Sequence, residues 1–371
     1  MPLYLTDDQA MLRDTARGFI AEEGAISKQL RHWRDTGCSD GFGHGLWKQF
    51  AEMGFTGILI DEADGGLGLG HVEAGIVLEE IGRNLTPSPF LTSAVAFVAA
   101  LKGSAVRERW YPGILAGETV AALAIDEGPK HRPEAIAMRA ERSGNGFTLS
   151  GRKQFVVHGA SADVTLVAAR TDEGLTLFAV ENDAAGLEVE GVRLADSSSG
   201  ARMTFDKVAV DADAVVGEVG GGEAVLKRAL DAGRTGAAAE LVGVGAAAMD
   251  MTVDYLKQRK QFGRLIGEFQ TLQFRAAHLY SELEIARAAT MKAQQLLDEG
   301  SAEADAMVSV AKAKAGRAAQ LAVQEGVQMH GGIGMTDEYD IGLYMKRDRV
   351  LNELFGDPAY HADRLARLHG Y

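Results

Sequence analysis

Along the first part of the chain apolar residues recur at steps of three and four. Leu12, Ala16, Phe19 and Ile20 share one helical face, and "TDDQ" (6–9) ahead of them has the form of a capping box. "GLWKQFAEMG" (45–54) predicts a second helix ending at a glycine, and "VEAGIVLEEIGRN" (72–84) an amphipathic one stopped by the prolines of "TPSPF". The period then shifts to two. "VAALAID" (120–126), "GFTLSGRKQFVV" (146–157), "DVTLVAAR" (163–170), "GLTLFAV" (174–180) and "MTFDKVAV" (203–210) alternate between turn residues, which predicts a small antiparallel β unit. From about 222 the helical period returns. In 269–288, Phe269, Leu272, Ala276, Leu279, Leu283 and Ala286 form a bundle seam. The pattern divides the chain into a helical domain (1–118), a middle β domain (119–212) and a helical bundle (213–371). That is an α+β order, not the strand–helix alternation of a dinucleotide fold.

At 371 residues two or three structural units are expected, and 46% hydrophobic with 24% charged residues is a globular composition. The net charge of −14 argues against a nucleic-acid surface, although "KQRKQFGR" (257–264) is basic enough to meet one phosphorylated ligand. Cys38 is the only cysteine, so no internal disulfide forms. The N-terminal "MPLYLTDDQAML" lacks a signal-peptide pattern, and the longest apolar run, at 91–101, is short of a membrane span. The expectation is a cytoplasmic protein with no membrane partner.

Three stretches carry candidate chemistry. In "RKQFG" (259–263) Arg259 and Lys260 can pair with a pyrophosphate, with Gln270 nearby; the alternative is a solvated helix end. In "VQMHGGIGMT" (327–336) the glycines allow close approach to a flat or charged ligand; the alternative is a helix C-cap. His330 has no second ligand at metal spacing, so no metal site is expected. In "GRKQFVVHGA" (151–160) Phe155 and the backbone at Val157 can run along a ring system, or the segment is an ordinary strand. "GEVGGGEAV" (217–225) lacks the Lys-Ser/Thr of a phosphate loop and reads as a flexible hinge.

Taken together, and with "GGLGLG", "VLEEIGR", "LAGE", "QRKQFGRLIGEFQTLQ", "QMHGGIGMTDEY" and "KRD" (346–348), the chain resembles the FAD-dependent acyl-CoA dehydrogenases over nearly its whole length. The resemblance implies a fold of N-terminal helices, middle β domain and C-terminal four-helix bundle. Its implied activity is α,β-dehydrogenation of an acyl-CoA in fatty acid metabolism, with an electron acceptor such as an electron-transfer flavoprotein. By position, Arg259 and Phe262 would contact the FAD diphosphate and adenosine side, with Gln270 close by. Gln328, Gly331 and Gly332 would reach FAD from a neighbouring protomer, which implies an oligomer. Leu123, Ile125 and Asp126 match the first flavin-contacting strand, and Phe155, Val156 and Val157 the strand along the isoalloxazine.

The family's α-proton base is a glutamate at one of two places, and here those places hold Gly356, inside "LFGDP", and Gly233, inside "DAGRTG". Asp357, Glu240 and Glu353 are the carboxylates that can substitute, with Asp357 first; its alternative role is the N-cap of the following helix. Gly356 still offers a backbone N–H to a thioester oxygen. Glutamate at 356 or 233 is expected to restore flavin reduction. The segment "EGPKHRPEA" (127–135) replaces the family's Gly-rich one, and Lys130, His131 and Arg132 can meet CoA phosphates or remain in solvent. "FGDPAYHADR" is similar to the small chains of two-chain pimeloyl-CoA and steroid side-chain acyl-CoA dehydrogenases. Three readings follow: a dehydrogenase, a base-less partner subunit in a hetero-oligomer, or a flavin-dependent acyl-CoA lyase or desulfinase.

Overall fold

The structure is a computed structural model that describes residues 3–371. Its helices and strands, in chain order, are α1 (Asp7–Glu23), α2 (Leu30–Asp35), α3 (His44–Glu52), α4 (His71–Asn84), α5 (Val98–Leu101) and α6 (Arg107–Leu115), followed by eight strands. These are β1 (Ala121–Ala124), β2 (Arg139–Ser143), β3 (Gly146–Val157), β4 (Val164–Thr171), β5 (Gly174–Glu181), β6 (Leu187–Arg193), β7 (Ser199–Val210) and β8 (Val215–Val216). Then come α7 (Gly222–Gln258), a hairpin of β9 (Lys260–Gln261) and β10 (Arg264–Leu265), α8 (Gln270–Asp298), α9 (Ala304–His330), α10 (Ile341–Glu353) and α11 (Pro358–Leu368). Helices thus precede the strands and helices follow them, as the periodicity indicates.

The chain folds as two compact units that do not follow chain order. One contains residues 3–28, 71–86 and 234–371, and the other 29–70 and 87–233. In the first, α1 starts with the capping box: the Thr6 hydroxyl accepts from Gln9 N–H and the Gln9 amide accepts from Thr6 N–H. α8, α10 and α11 pack on α9, and α1 and α8 on α4. α4 and α7 approach so closely that a Cβ on Gly82 would lie 2.1 Å from the Glu240 carbonyl oxygen, and one on Gly243 2.0 Å from that of Glu79. Only glycine permits such backbone contact. By length and composition α7 is the one helix among the described residues apolar enough to span a membrane. Because 78% of its most apolar window is buried inside the protein, it is a core helix.

In the second unit the eight strands form one sheet, with β6, β7, β3 and β2 at one end and β4, β5 and β8 at the other. β1 runs parallel to β4, and β2 meets β4 in parallel at Arg139 and Arg170, so the sheet is mixed rather than wholly antiparallel. Alternation fixes which residues face the core but not the direction of a neighbouring strand. The expected hinge at 217–225 is tied down: Gly217 N–H donates to Ser104 Oγ and Gly220 N–H to Thr176 Oγ1.

Candidate functional site

The break between α10 and α11 belongs to the first unit, and its backbone is unusual. Phe355 (φ 61°) and Gly356 (φ 105°) are both left-handed, a conformation that costs a bulky residue ~1–2 kcal/mol. Buried donors from three helices hold the carbonyls of this turn. Lys312 of α9, fully buried, donates to Leu351 O (2.9 Å), Asn352 O (3.3 Å) and Gly356 O (3.0 Å). Arg234 of α7 donates from Nε to Phe355 O (3.3 Å) and from Nη2 to the Tyr360 hydroxyl (3.2 Å). His361 of α11 places Nε2 3.1 Å from Phe355 O, which makes Nε2 the protonated nitrogen.

Burial dominates the electrostatics here. It pushes the Lys312 ammonium down to about 7, with Arg234 adding repulsion. Burial also pushes the Asp348 carboxyl up to about 7, against the pull of Lys312 and Arg349. Asp348 accepts from the Asn352 amide at 2.8 Å.

All three carboxylates suggested as substitute bases are engaged. Asp357 is the N-cap of α11, its Oδ1 accepting from Tyr360 N–H at 2.8 Å, with Pro358 in the first turn. Glu240, 1% exposed, is paired with Arg347 at 2.6 Å. Glu353 pairs with Arg349 at 3.0 Å. Nor does Gly356 leave an open place for a side chain. A Cβ there would lie 2.4 Å from Cδ1 and 3.0 Å from Cε1 of Tyr360, and 3.0 Å from His361 Nε2. The expectation that glutamate at 356 would restore a base fails on this geometry. Gly356 N–H donates to Glu353 O in a long bond of 3.3 Å.

Elsewhere in the first unit lies a set of uncommitted donors. The side chains of Arg259, Gln270 and Gln328 are exposed and make no hydrogen bond or ion pair among the described residues. Phe262 and Gly263 are the left-handed central residues (φ 52° and 81°) of the β9–β10 hairpin, which turns the Phe262 ring outward, 90% exposed. Gly331 and Gly332 follow α9, and a Cβ on either would meet nothing within 4 Å. A free guanidinium and amides, an exposed ring and open glycines are groups that suit a flat ligand carrying a diphosphate. His330, by contrast, is packed between Tyr255 and Tyr339. Its Nδ1 lies 2.7 Å from Gly326 O, and burial lowers its pKa. No cluster able to hold a metal occurs among the described residues.

In the second unit, β3 carries irregularities between Leu149 and Gly151 and between Lys153 and Val156, and Phe155 is left-handed (φ 52°). Val156 and Val157 are buried, as are Leu123 and Ile125. Lys153, also buried, donates to Ile125 O (3.0 Å) and Glu127 (2.9 Å), and Gln154 N–H donates to Asp126 O (2.8 Å). The end of β1 is thereby fixed against the bulged part of β3. The Asp126 carboxylate faces inward, 2.9 Å from His131 Nδ1 and 3.0 Å from Arg132 N–H. His131 is therefore a buried partner of Asp126, not a solvated loop residue. Neither the periodicity nor the family likeness assigns a role to Lys312, Arg234, Tyr360 or His361. The signal was there for Lys312, four residues after Val308 and three before Ala315 on a buried helix face.

Three family models match: acyl-CoA dehydrogenase N-terminal domain (residues 6–118), middle domain (126–208) and C-terminal domain (220–368). Isovaleryl-CoA dehydrogenase of Solanum tuberosum is 32% identical over 83% of this chain and 78% of the relative. Among solved structures, a point variant of the Tcur3481-Tcur3483 steroid ACAD is 30% identical with a TM-score of 0.90, covering 98% of both chains. A chain described as electron transferring flavoprotein of Acidaminococcus fermentans is 26% identical with a TM-score of 0.88, over the full length of both. The chain belongs to the acyl-CoA dehydrogenase family. It is accordingly a flavoprotein oxidoreductase of FAD-dependent acyl-CoA dehydrogenation, with an acyl-CoA as substrate.

Proposed function

We propose that this chain works as the base-less subunit of a two-chain acyl-CoA dehydrogenase, contributing FAD-binding residues while a homologous chain supplies the α-proton base. One observation carries this: Tyr360 fills the side-chain place at Gly356, while Asp357, Glu240 and Glu353 are committed to a cap and two ion pairs. An efficient base must reach the proton it removes, whereas Glu240 is locked in a buried ion pair, Asp357 in a helix cap and Glu353 in an i,i+4 pair with Arg349. The bound FAD would supply the acceptor for the β-hydrogen as hydride. Arg259 and Phe262 would hold its diphosphate and adenosine side, with Gln270 close by, and Gln328, Gly331 and Gly332 would reach the FAD of a neighbouring protomer. In the second unit, Leu123, Ile125 and Asp126 would form the first flavin-contacting strand, and Phe155, Val156 and Val157 the strand along the isoalloxazine. Gly356 N–H, whose bond to Glu353 O is long, is the donor this chain would offer the acyl-CoA thioester oxygen, so it would bind and polarise the thioester without deprotonating it.

Several exposed apolar residues of the first unit support a partner chain: Phe262 (90% exposed), Phe274 (70%) and Met335 (79%). The name of the steroid ACAD pair, and the "FGDPAYHADR" likeness, favour a homologous chain over a second copy. An electron-transfer flavoprotein is the acceptor that fits the family. The test is co-expression with homologous, glutamate-bearing chains, followed by mass and flavin measurement of the purified species. A stable complex of two different chains containing FAD is expected. A homomer that holds FAD and excludes every such chain would sink the reading. Turnover of an acyl-CoA with no net flavin reduction would point instead to a lyase or desulfinase.

A further inference from the structure

The buried donors under the break do more than end a helix. Of the last carbonyls of α10, Val350 O accepts from Leu354 N–H and Glu353 O from Gly356 N–H, which leaves Leu351 O and Asn352 O without a backbone donor. Lys312 takes both, then reaches past the end of the helix to Gly356 O. Arg234 and His361 take the one intervening carbonyl that projects inward, at Phe355. A peptide group is planar and trans, so its N–H points opposite to its C=O. Drawing Phe355 O into the bundle therefore turns Gly356 N–H away from the Arg234 and His361 donors, and drawing Gly356 O inward fixes the next plane. The left-handed conformations at 355 and 356 have no regular hydrogen-bond ladder to hold them. The inward donors do so instead.

We infer that Lys312 is a positioning residue: by holding Leu351 O and Asn352 O before the break and Gly356 O after it, it fixes the two flanks of the Phe355–Gly356 peptide, which Arg234 and His361 hold at Phe355 O, so that the Gly356 N–H exchanges its long bond to Glu353 O for one to the acyl-CoA thioester oxygen. This rests on the reading above, in which that N–H is the thioester donor. Lys312 touches no substrate; it acts through the turn. Its charge matters because an ammonium makes stronger bonds to carbonyls than a neutral amine. It sits among Arg234 from α7, Asp348 and Glu353 from α10, Asp357 of the break and His361 of α11. With its pKa near 7, the grip weakens as the pH rises through neutrality, and with it the affinity for a bound thioester. Asp348 gains charge over the same range and must be separated from this effect.

The experiment uses the FAD-loaded protein and a panel of short-, medium- and long-chain 2-enoyl-CoAs, with binding read from the perturbation of the flavin spectrum. Dissociation constants are measured from about pH 6 to about pH 9 for wild type, Lys312→Met and Asp348→Asn. Wild type is expected to lose about tenfold in affinity as the pH rises, the difference between a charge-assisted and a neutral hydrogen bond. Lys312→Met should bind at the weaker level at every pH, with an unchanged flavin spectrum before ligand is added. Asp348→Asn should retain the alkaline loss. A Lys312→Met protein of lower melting temperature but wild-type affinity and pH profile overturns the inference, leaving Lys312 a structural cap. So does an alkaline loss that vanishes in Asp348→Asn, since it then belongs to Asp348. Should Lys312→Met not fold, the other two proteins decide: a flat wild-type profile overturns the inference, and an alkaline loss kept by Asp348→Asn supports it. If no member of the panel perturbs the wild-type flavin at any pH, the thioester-donor reading falls and takes the inference with it.

Discussion

Glutamate at position 356 would restore the family's side chain at the family's place, so Gly356→Glu asks whether that place is open. The structure says it is filled. Gly356 has φ 105°, and its Cβ would lie 2.4 Å from Tyr360 Cδ1, well inside van der Waals contact. A non-glycine residue in such a conformation costs ~1–3 kcal/mol, and forcing extra atoms into a packed site costs ~1–3 kcal/mol more. Tyr360 cannot yield freely, because Arg234 holds its hydroxyl and lies over its ring, 5.6 Å from the centroid. The break cannot shift either while Lys312, Arg234 and His361 hold its carbonyls. The sum is ~2–6 kcal/mol. With an unfolding entropy of about 2.1 cal/mol/K per residue over 371 residues, that lowers the melting temperature by ~3–8 °C. Thermal unfolding of the FAD-loaded protein, with Gly356→Ala beside it to isolate the first carbon, measures the cost. Anaerobic mixing with acyl-CoAs measures any gain. The expected result is a destabilised protein whose flavin reduction is no faster than wild type. A melting temperature within a degree of wild type, with reduction accelerated ~10²–10⁴-fold, would show that the place is open and the Tyr360 argument wrong.

Arg259→Ala should release FAD ~10–150-fold more readily, the loss of a charge-assisted hydrogen bond, as read by flavin retained through gel filtration. Equal retention would remove Arg259 from the FAD site. Asp357→Ala should lower stability by ~0.5–2 kcal/mol through loss of the cap, whereas Asp357→Asn keeps the cap. Neither should change flavin reduction, and a rate that collapses in the Asn variant would make Asp357 the base after all. Asp348 titrates at about 7 in the fold against an ordinary 3.8, so the folded state holds its proton more tightly. That stabilisation is complete below the ordinary value and is lost as the pH rises through about 7, as much as about 4 kcal/mol. Asp348→Asn should therefore gain on wild type steadily between about pH 4 and about pH 7 in melting experiments. A difference that stays constant with pH would contradict the raised pKa.

The elements were largely legible and the couplings between them were not. The capping box at Thr6 and Gln9, the helix at 72–84 and the cap at Asp357 follow from local chemistry, and each is present. Periodicity treats lysine and arginine as surface residues. It therefore passed over Lys312 and Arg234, whose carbonyl partners lie in a segment far along the chain. It also placed Phe269, Leu272 and Ala276 on a seam that is buried only from Leu279 onward. The pattern reports an apolar face without reporting whether this chain covers it. The glycines at 356 and 233 were visible as departures from the family. That Tyr360 occupies the side-chain place at 356 was not, because a residue in left-handed backbone points where no sequence spacing indicates.

A base-less subunit does not remove an α-proton unaided. Anaerobic mixing of the FAD-loaded chain with saturated acyl-CoAs, alone and then in complex with a homologous glutamate-bearing chain, measures that directly through loss of oxidised-flavin absorbance. Alone, the chain should show a ligand-perturbed spectrum that stays oxidised on the timescale of turnover, and the complex should bleach at least ~10²-fold faster. Rapid bleaching by the chain alone, surviving Asp357→Asn, would contradict the account.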